Sequence, residues 1–290
     1  LVGNRLRIDE PLSRHTSLEI GGPARYFLEL RNIEELASVI EFSLKENLDF
    51  FILGEGTNVL FCDEGFSGLV IRLKGEFEKF FIEGEEVTAG AGVKLNYLVE
   101  ELAKRGLAGL EFASGIPGSL GGAIVSNAGT KMGSIGDVTR EIKIFSGGNV
   151  KILKKDEVNF SYRHCDLPNK AIILEVKLGL KNGKKSDIIN KIKKSLKERK
   201  KNQPVSTFNA GCVFKNPKTC EAGKLIETAG LKGTRFGDAE VSTKHANFII
   251  NRGRARAKDV YNLIEKIREA VKEKFDIDLE LELRLVGVKG

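Results

Sequence analysis

Apolar residues recur at helical spacing from position 33. Ile33, Leu36, Ile40 and Leu44 predict a helix over about Ile33–Glu46, with Asn32 as cap and Glu35 completing a capping box. The run FFIL at 50–53 predicts a strand, the turn GEGTNVLF follows, and SGLVIRL at 67–73 predicts the next strand. The chain thus begins with a β-helix-β unit ending in a glycine turn. A strand is expected over 86–91. Leu95, Leu98, Val99 and Leu102 then mark the inner face of a helix over 95–105, ended by Gly106 as a left-handed cap. After a second glycine-rich stretch, GIPGSLGGAIVSNAGT at 115–130, the segments EIKIFS, VKILKK and AIILEVKLGL read as strands of one sheet.

Ile188, Ile189, Ile192 and Leu196 share one face of a Lys-rich helix over 186–201, which runs into Gln203 and Pro204. Pro204 marks a domain boundary. Beyond it the pattern predicts a helix near 223–229, a strand around 245–251, a long helix over about 257–275 and a last strand, LELELRLVG, at 279–287. Together these make a small α+β domain.

At 290 residues the chain is long enough for two or three compact units, and 41% hydrophobic with 30% charged residues describes a globular protein. No run approaches the roughly 20 apolar residues a membrane span needs, and LVGNRLRIDEPL is not a charged-then-apolar signal, so a cytoplasmic protein with no membrane partner is expected. The cysteines Cys62, Cys165, Cys212 and Cys220 form no CxxC pair and read as reduced thiols, and no metal site is expected. A net charge of +7 fits nucleic acid, a phosphate-bearing substrate or a solvated basic helix equally well. Few aromatic residues flank the basic helix, which argues against nucleic acid. A monomer is expected.

The two glycine-rich loops each follow a predicted strand, where backbone N–H groups can approach a pyrophosphate without interference from a Cβ. Two plain tight turns would leave the same trace. GEGTNV lacks the third glycine of the dinucleotide fingerprint and runs into VLF rather than a helix, and no GK[ST] follows either loop. A dinucleotide would have to be held outside both of the common phosphate-binding folds.

The ordered set HTSLEIGGPARYF, GEGTNVL, GIPGSLGGAIVSNAG, FSYRHC, AGCVFKNP, GKLIE, GDAEVSTKHANFIIN and LELELRLVG resembles the UDP-N-acetylenolpyruvoylglucosamine reductase family, flavoenzymes of peptidoglycan synthesis. The resemblance implies an α+β protein with a vanillyl-alcohol-oxidase-type FAD-binding fold. Its two subdomains would occupy 1–75 and 76–203, and a C-terminal substrate-binding domain 204–290. It resembles the shorter members, which lack an extra substrate loop. It also implies bound FAD, NADPH as co-substrate, and hydride delivery to the vinyl carbon of a UDP-sugar enolpyruvyl ether. For the cofactor it points to Gly54, Gly56, Thr57, Asn58, Val59 and Leu60 in the first loop. In the second it points to Ile116, Pro117, Gly118, Ser119, Gly121, Gly122, Ala123, Asn127 and Gly129.

By the same resemblance Arg163 polarises the substrate carboxylate and Glu282 assists enol formation or protonation. On pattern alone, Arg163 is a surface ion-pair partner, and Glu280, Glu282 and Arg284 are one solvated strand face. Cys212 stands where most members carry the serine that donates a proton; a thiol, with a reference pKa of ~8.5, can replace it, or can be a small buried hydrophobe. Lys215 and Asn216 correspond to substrate-binding positions, though a turn before Pro217 explains them equally. Tyr162 and His245 complete the expected substrate set, with packing and structural hydrogen bonding as their plainer roles. The competing enzyme reading is another FAD oxidoreductase of this fold acting on an alcohol or hydroxy acid.

Overall fold

The computed structural model describes residues 5–287; the outermost residues of the expected end domains, 1–4 and 288–290, lie outside the described residues. The chain forms two compact units. The first comprises residues up to Arg7, Leu28–Glu55 and Leu69–Glu198, the second Ile8–Phe27, Gly56–Gly68 and the chain from Arg199 onward. The strands Pro23–Leu30 and Phe66–Leu73 each begin in the second unit and end in the first. The strand Arg7–Pro11 and the strand Pro23–Leu30, which flank the HTSLEIGG segment, went unpredicted because their apolar positions are too few to set a period.

In the first unit the helix Ile33–Lys45 starts as expected, with the Asn32 side chain accepting from the Glu35 amide at 2.9 Å. The reciprocal bond of a capping box is replaced: the Glu35 carboxylate accepts from the Arg31 amide at 2.8 Å and pairs with Arg5. Leu36, Ile40 and Ser43 are the buried residues, a continuous i, i+4, i+7 line, so the expected inward Leu44 is left 54% exposed. Phe50–Ile52 runs parallel to the segment from Leu69 to Ile71.

The centre of this unit is an antiparallel sheet in the order Asn149–Lys154, Thr139–Ser146, Ile172–Gly179, Glu86–Gly90, Phe80–Glu83. It contains all three strands expected after the second loop. Ile142 opposes Val176 and both are buried, whereas Val150 and Ile152 on the edge strand are exposed, so one face is packed and one wet. The helix Leu95–Lys104 buries Leu95, Leu98, Val99 and Leu102, each contributing roughly 1.5–3 kcal/mol, and Gly106 ends it at φ +75°.

The helix Lys185–Asn202 departs from expectation. Its buried residues are Ile188 and Ser195, while Ile189 and Leu196 are exposed. The inward line runs one residue to the side of the apolar stripe.

In the second unit a sheet in the order Phe208–Asn209, Ile249–Asn251, Ala239–Val241, Arg235–Phe236 packs on the helix Ala257–Phe275. That helix buries Val260, Leu263, Ile264, Ile267 and Val271. At its start the Asp63 carboxylate accepts from the amides of Ala257 (2.8 Å) and Lys258 (3.1 Å), placing negative charge at the positive end of the helix. Two strands are shorter than expected. Residues 245–248 form a turn closed by Phe248 N–H to His245 O at 3.0 Å, leaving Ile249–Asn251 as strand. The last segment changes partner midway: Leu281 bridges to Phe214, and only Arg284–Val286 is strand, parallel to Val59–Phe61. Glu282 sits at that change and is half-buried, so the even alternation of solvated charges does not hold.

Candidate active site

The first glycine loop is shaped by close approach. Gly56 has φ +64°, and a Cβ there would lie 2.0 Å from the carbonyl oxygen of His15. Ser17 ties this region down, its amide donating to Gly56 O (3.0 Å) and its hydroxyl to Asn209 O (2.7 Å). A Cβ on Gly54 would meet Ser119 Oγ at 2.6 Å. The amides of Gly54, Glu55 and Gly56 have no acceptor among the described residues. A turn presenting unspent N–H groups beside positions that admit no side chain fits an anionic pyrophosphate such as that of FAD. Thr57 is half-buried. Val59 and Leu60 lie in a strand, with Leu60 fully inside the core, so the side chain of Leu60 faces away from any ligand.

The second loop leads into the short helix Leu120–Val125, whose cap Ser119 accepts from the Gly122 amide at 3.3 Å. Gly121 packs on Ala91, where a Cβ would come within 2.9 Å, while a Cβ on Gly122 would meet only Ser119 Oγ, at 3.5 Å. Gly122 is exposed and open on its outer side; Ala123 is buried and Pro117 exposed. Ile116 and Gly118 are braced by backbone bonds, Ile116 N–H to Ala113 O and Leu95 N–H to Gly118 O. Asn127, at φ +40°, uses its side chain internally: Nδ2 donates to Ser161 O (2.8 Å) and Oδ1 accepts from Gly136 N–H (3.1 Å).

Arg163 and Tyr162 form the turn of a hairpin between Phe160–Ser161 and His164–Cys165. Arg163 has φ +57°, a left-handed conformation that costs a residue with a Cβ about 1–2 kcal/mol. Its Nη1 donates to Gly129 O at 3.1 Å and its guanidinium lies 5.3 Å from the Tyr162 ring centre. The arginine is thereby linked to the end of the second glycine loop. Tyr162 is exposed.

In the second unit the fold brings together Cys212, Lys215, Asn216, His245 and Glu282. Val213 is the junction: its N–H donates to Asn247 O (2.9 Å), and its carbonyl accepts from Glu282 N–H (2.9 Å) and Leu283 N–H (3.2 Å). Cys212 is partly exposed and follows Gly211, which has φ +77°. The Lys215 ammonium pairs with Glu280 at 3.2 Å, and Asn216 Oδ1 accepts from Ala222 N–H at 2.9 Å, so both side chains have internal partners. His245 lies in the 245–248 turn. Its Nδ1 accepts from Asn247 N–H at 3.2 Å, which places the proton of the neutral ring on Nε2, and burial pushes its pKa down.

Several residues that shape this site left no signal in the sequence pattern. Asn58 donates from Nδ2 to Glu282 O at 3.0 Å, and Asn247 bonds both backbone groups of Phe214. Both were legible only as members of a motif string.

The loop geometry and the α+β frame accord with the class that the comparison defines: this is an FAD-dependent oxidoreductase, and residues 24–152 match the FAD binding domain family model. Residues 203–286 match the model of the UDP-N-acetylenolpyruvoylglucosamine reductase C-terminal domain. The chain belongs to the UDP-N-acetylenolpyruvoylglucosamine reductase family. It is 45% identical over 289 residues to that reductase from Moorella thermoacetica, covering 99% of this chain and 95% of the relative. It is 43% identical over 285 residues to reductase 2 of Symbiobacterium thermophilum, covering 98% and 92%. The crystal structure of the Thermus caldophilus reductase superposes with a TM-score of 0.87 at 40% identity, covering 97% of this chain and 99% of that one. Among the described residues no helix is long and apolar enough to cross a membrane.

Proposed function

We propose that this protein reduces the enolpyruvyl ether of UDP-N-acetylglucosamine to UDP-N-acetylmuramate for peptidoglycan synthesis, with NADPH as reductant. It works as a cytoplasmic monomer, divided functionally into 1–75, 76–203 and 204–290. The two glycine loops would hold FAD, which when bound would supply hydride chemistry between NADPH and the vinyl carbon of the substrate. Arg163 binds the substrate carboxylate with its planar donors and offsets the negative charge that develops there. Cys212 gives a proton to the adjacent carbon, which forms the new C–H bond and leaves a thiolate to be reprotonated from solvent. Glu282 stands beside the donor and stabilises the enol-like charge distribution. Lys215, Asn216, Tyr162 and His245 orient the rest of the substrate.

The observation that carries this reading is the bond from Glu282 N–H to the carbonyl of Val213, the residue after Cys212. It joins the backbone of the segment that carries Cys212 to that of Glu282, 70 residues further along the chain. The test is the visible spectrum of purified protein. A flavin band that NADPH bleaches, and that returns without oxygen only on adding the enolpyruvyl UDP-sugar, supports the assignment. A reduced flavin indifferent to that sugar refutes it.

A further inference from the structure

We propose that Asn247 is a positioning residue that sets where Cys212 presents its thiol, acting through Val213 and Phe214. This rests on the reading that Cys212 is the proton donor. Asn247 is 2% exposed, and its carboxamide is spent on a single neighbour: Oδ1 accepts from Phe214 N–H at 2.9 Å and Nδ2 donates to Phe214 O at 2.8 Å. A side chain here does what a paired strand would do. The carbonyl of Asn247 also accepts from Val213 N–H at 2.9 Å. From the other side Val213 O takes the amides of Glu282 and Leu283, and Lys215 N–H donates to Glu280 O at 2.8 Å. Every backbone polar group of Val213 and Phe214 is therefore held.

On the other flank of Cys212 the Gly211 amide donates to one acceptor, Asn209 Oδ1, at 2.9 Å. Gly211, at φ +77°, has no heavy atom within 4 Å of where a Cβ would stand. Much of the fixing on the C-terminal side of Cys212 comes from the one carboxamide of Asn247. Few side chains can replace it. Asp keeps the acceptor for Phe214 N–H but sets an acceptor against Phe214 O, and Leu satisfies neither group. The Asn247 amide also orients His245 by donating to its Nδ1, so one buried residue governs two groups on the substrate side. A displacement of about 1 Å at a proton donor is enough to cost about 10²-fold in rate.

The test uses FAD-loaded protein in stopped flow, with Asn247→Asp, Asn247→Ser and each combined with Cys212→Ala. Asn247→Ser leaves space for water at the lost amide and serves if the aspartate variant does not fold. Flavin reduction by NADPH is expected to stay within about twofold of wild type, and reoxidation by the enolpyruvyl UDP-sugar to fall about 10²-fold. In the Cys212→Ala background the Asn247 change is expected to add less than about threefold, because nothing is left to aim. Equal losses in both backgrounds, equal slowing of both half-reactions, or full activity would each overturn the proposal. Cys212→Ala reoxidising at the wild-type rate would overturn it together with the donor assignment. Wild-type protein that never reoxidises with the sugar would mark failure of the functional reading itself.

Discussion

The side-chain amide of Asn58 donates to the backbone carbonyl of Glu282 at 3.0 Å, and the Asn58 carbonyl accepts from Arg284 N–H at 3.2 Å. Asn58 belongs to the first glycine loop, and Glu282 stands at the point where the last segment changes partner. The loop proposed to receive the cofactor and the segment that carries the Glu282 carboxylate are therefore one hydrogen-bonded piece. Parallel pairing of Arg284–Val286 with Val59–Phe61 continues that piece.

Asn58→Leu keeps the volume and removes the latch. Turnover is expected to fall by about 10²-fold through misplacement of Glu282. FAD content is expected to change little, since the unspent amides of the loop remain. Steady-state kcat with the flavin-to-protein absorbance ratio checks both halves; a variant with normal kcat would detach Asn58 from Glu282.

The glycines of the two loops are expected to respond differently to valine. Gly56→Val meets the His15 carbonyl at 2.0 Å from backbone held at φ +64°, and neither can yield. That variant should fail to fold. Gly122→Val meets only Ser119 Oγ at 3.5 Å, so it should melt within a few degrees of wild type yet lose its yellow colour. Thermal melts and flavin absorbance of the two variants decide the matter.

At Arg163 stability and activity should part. Replacing it with glycine relieves the left-handed strain, worth about 1–2 kcal/mol, against loss of the bond to Gly129 O, worth about 1 kcal/mol, and of the exposed contact with the Tyr162 ring, worth about 0.5 kcal/mol. The melting temperature of Arg163→Gly should not fall, while turnover with the UDP-sugar should drop by at least about 10²-fold. Arg163→Lys should lose turnover too, keeping the charge but not the planar donor pair. Calorimetry with steady-state kinetics tests this; an active glycine variant would remove Arg163 from the chemistry.

The half-buried His245 and the buried Glu240 predict acid sensitivity in two stages. Burial holds His245 below its ordinary pKa, so the folded state favours the neutral ring. The stability it adds is complete above ~6.5 and is lost as pH falls through the depressed folded value. Glu240 is held below the usual carboxylate range, first by its hydrogen bond from Arg252 and, against the opposing effect of burial, by Arg235. Its contribution is present above ~4.3 and disappears below that as the carboxylate protonates. Urea midpoints should decline from about pH 6.5 and more steeply below about pH 4. Glu240→Gln should cost on the order of 2 kcal/mol at pH 7 and flatten the lower stage, and His245→Asn should flatten the upper one.

Much of the frame was legible in the order of residues. Asn32, Gly106 and the span Ala257–Phe275 could be read in place because caps, left-handed stops and a 3.6-residue period are written within a few positions of where they act. The glycine loops and the spaced motifs carried the family and hence FAD. The interior of the site was not legible. Whether Glu282 is solvated depends on the switch of partner at 281–284. The use of Asn58 and Asn247 depends on acceptors 224 and 33 residues away, and Ser17 reaches one 192 residues away. A carboxamide has the same composition whether it faces water, a cofactor or a backbone. Sequence therefore determined which elements form and which chemistry is available, since both are set by local patterns and residue types. Only the tertiary structure decided which polar groups are already spent on the protein itself, because that depends on which distant segments the core brings within 3 Å of one another.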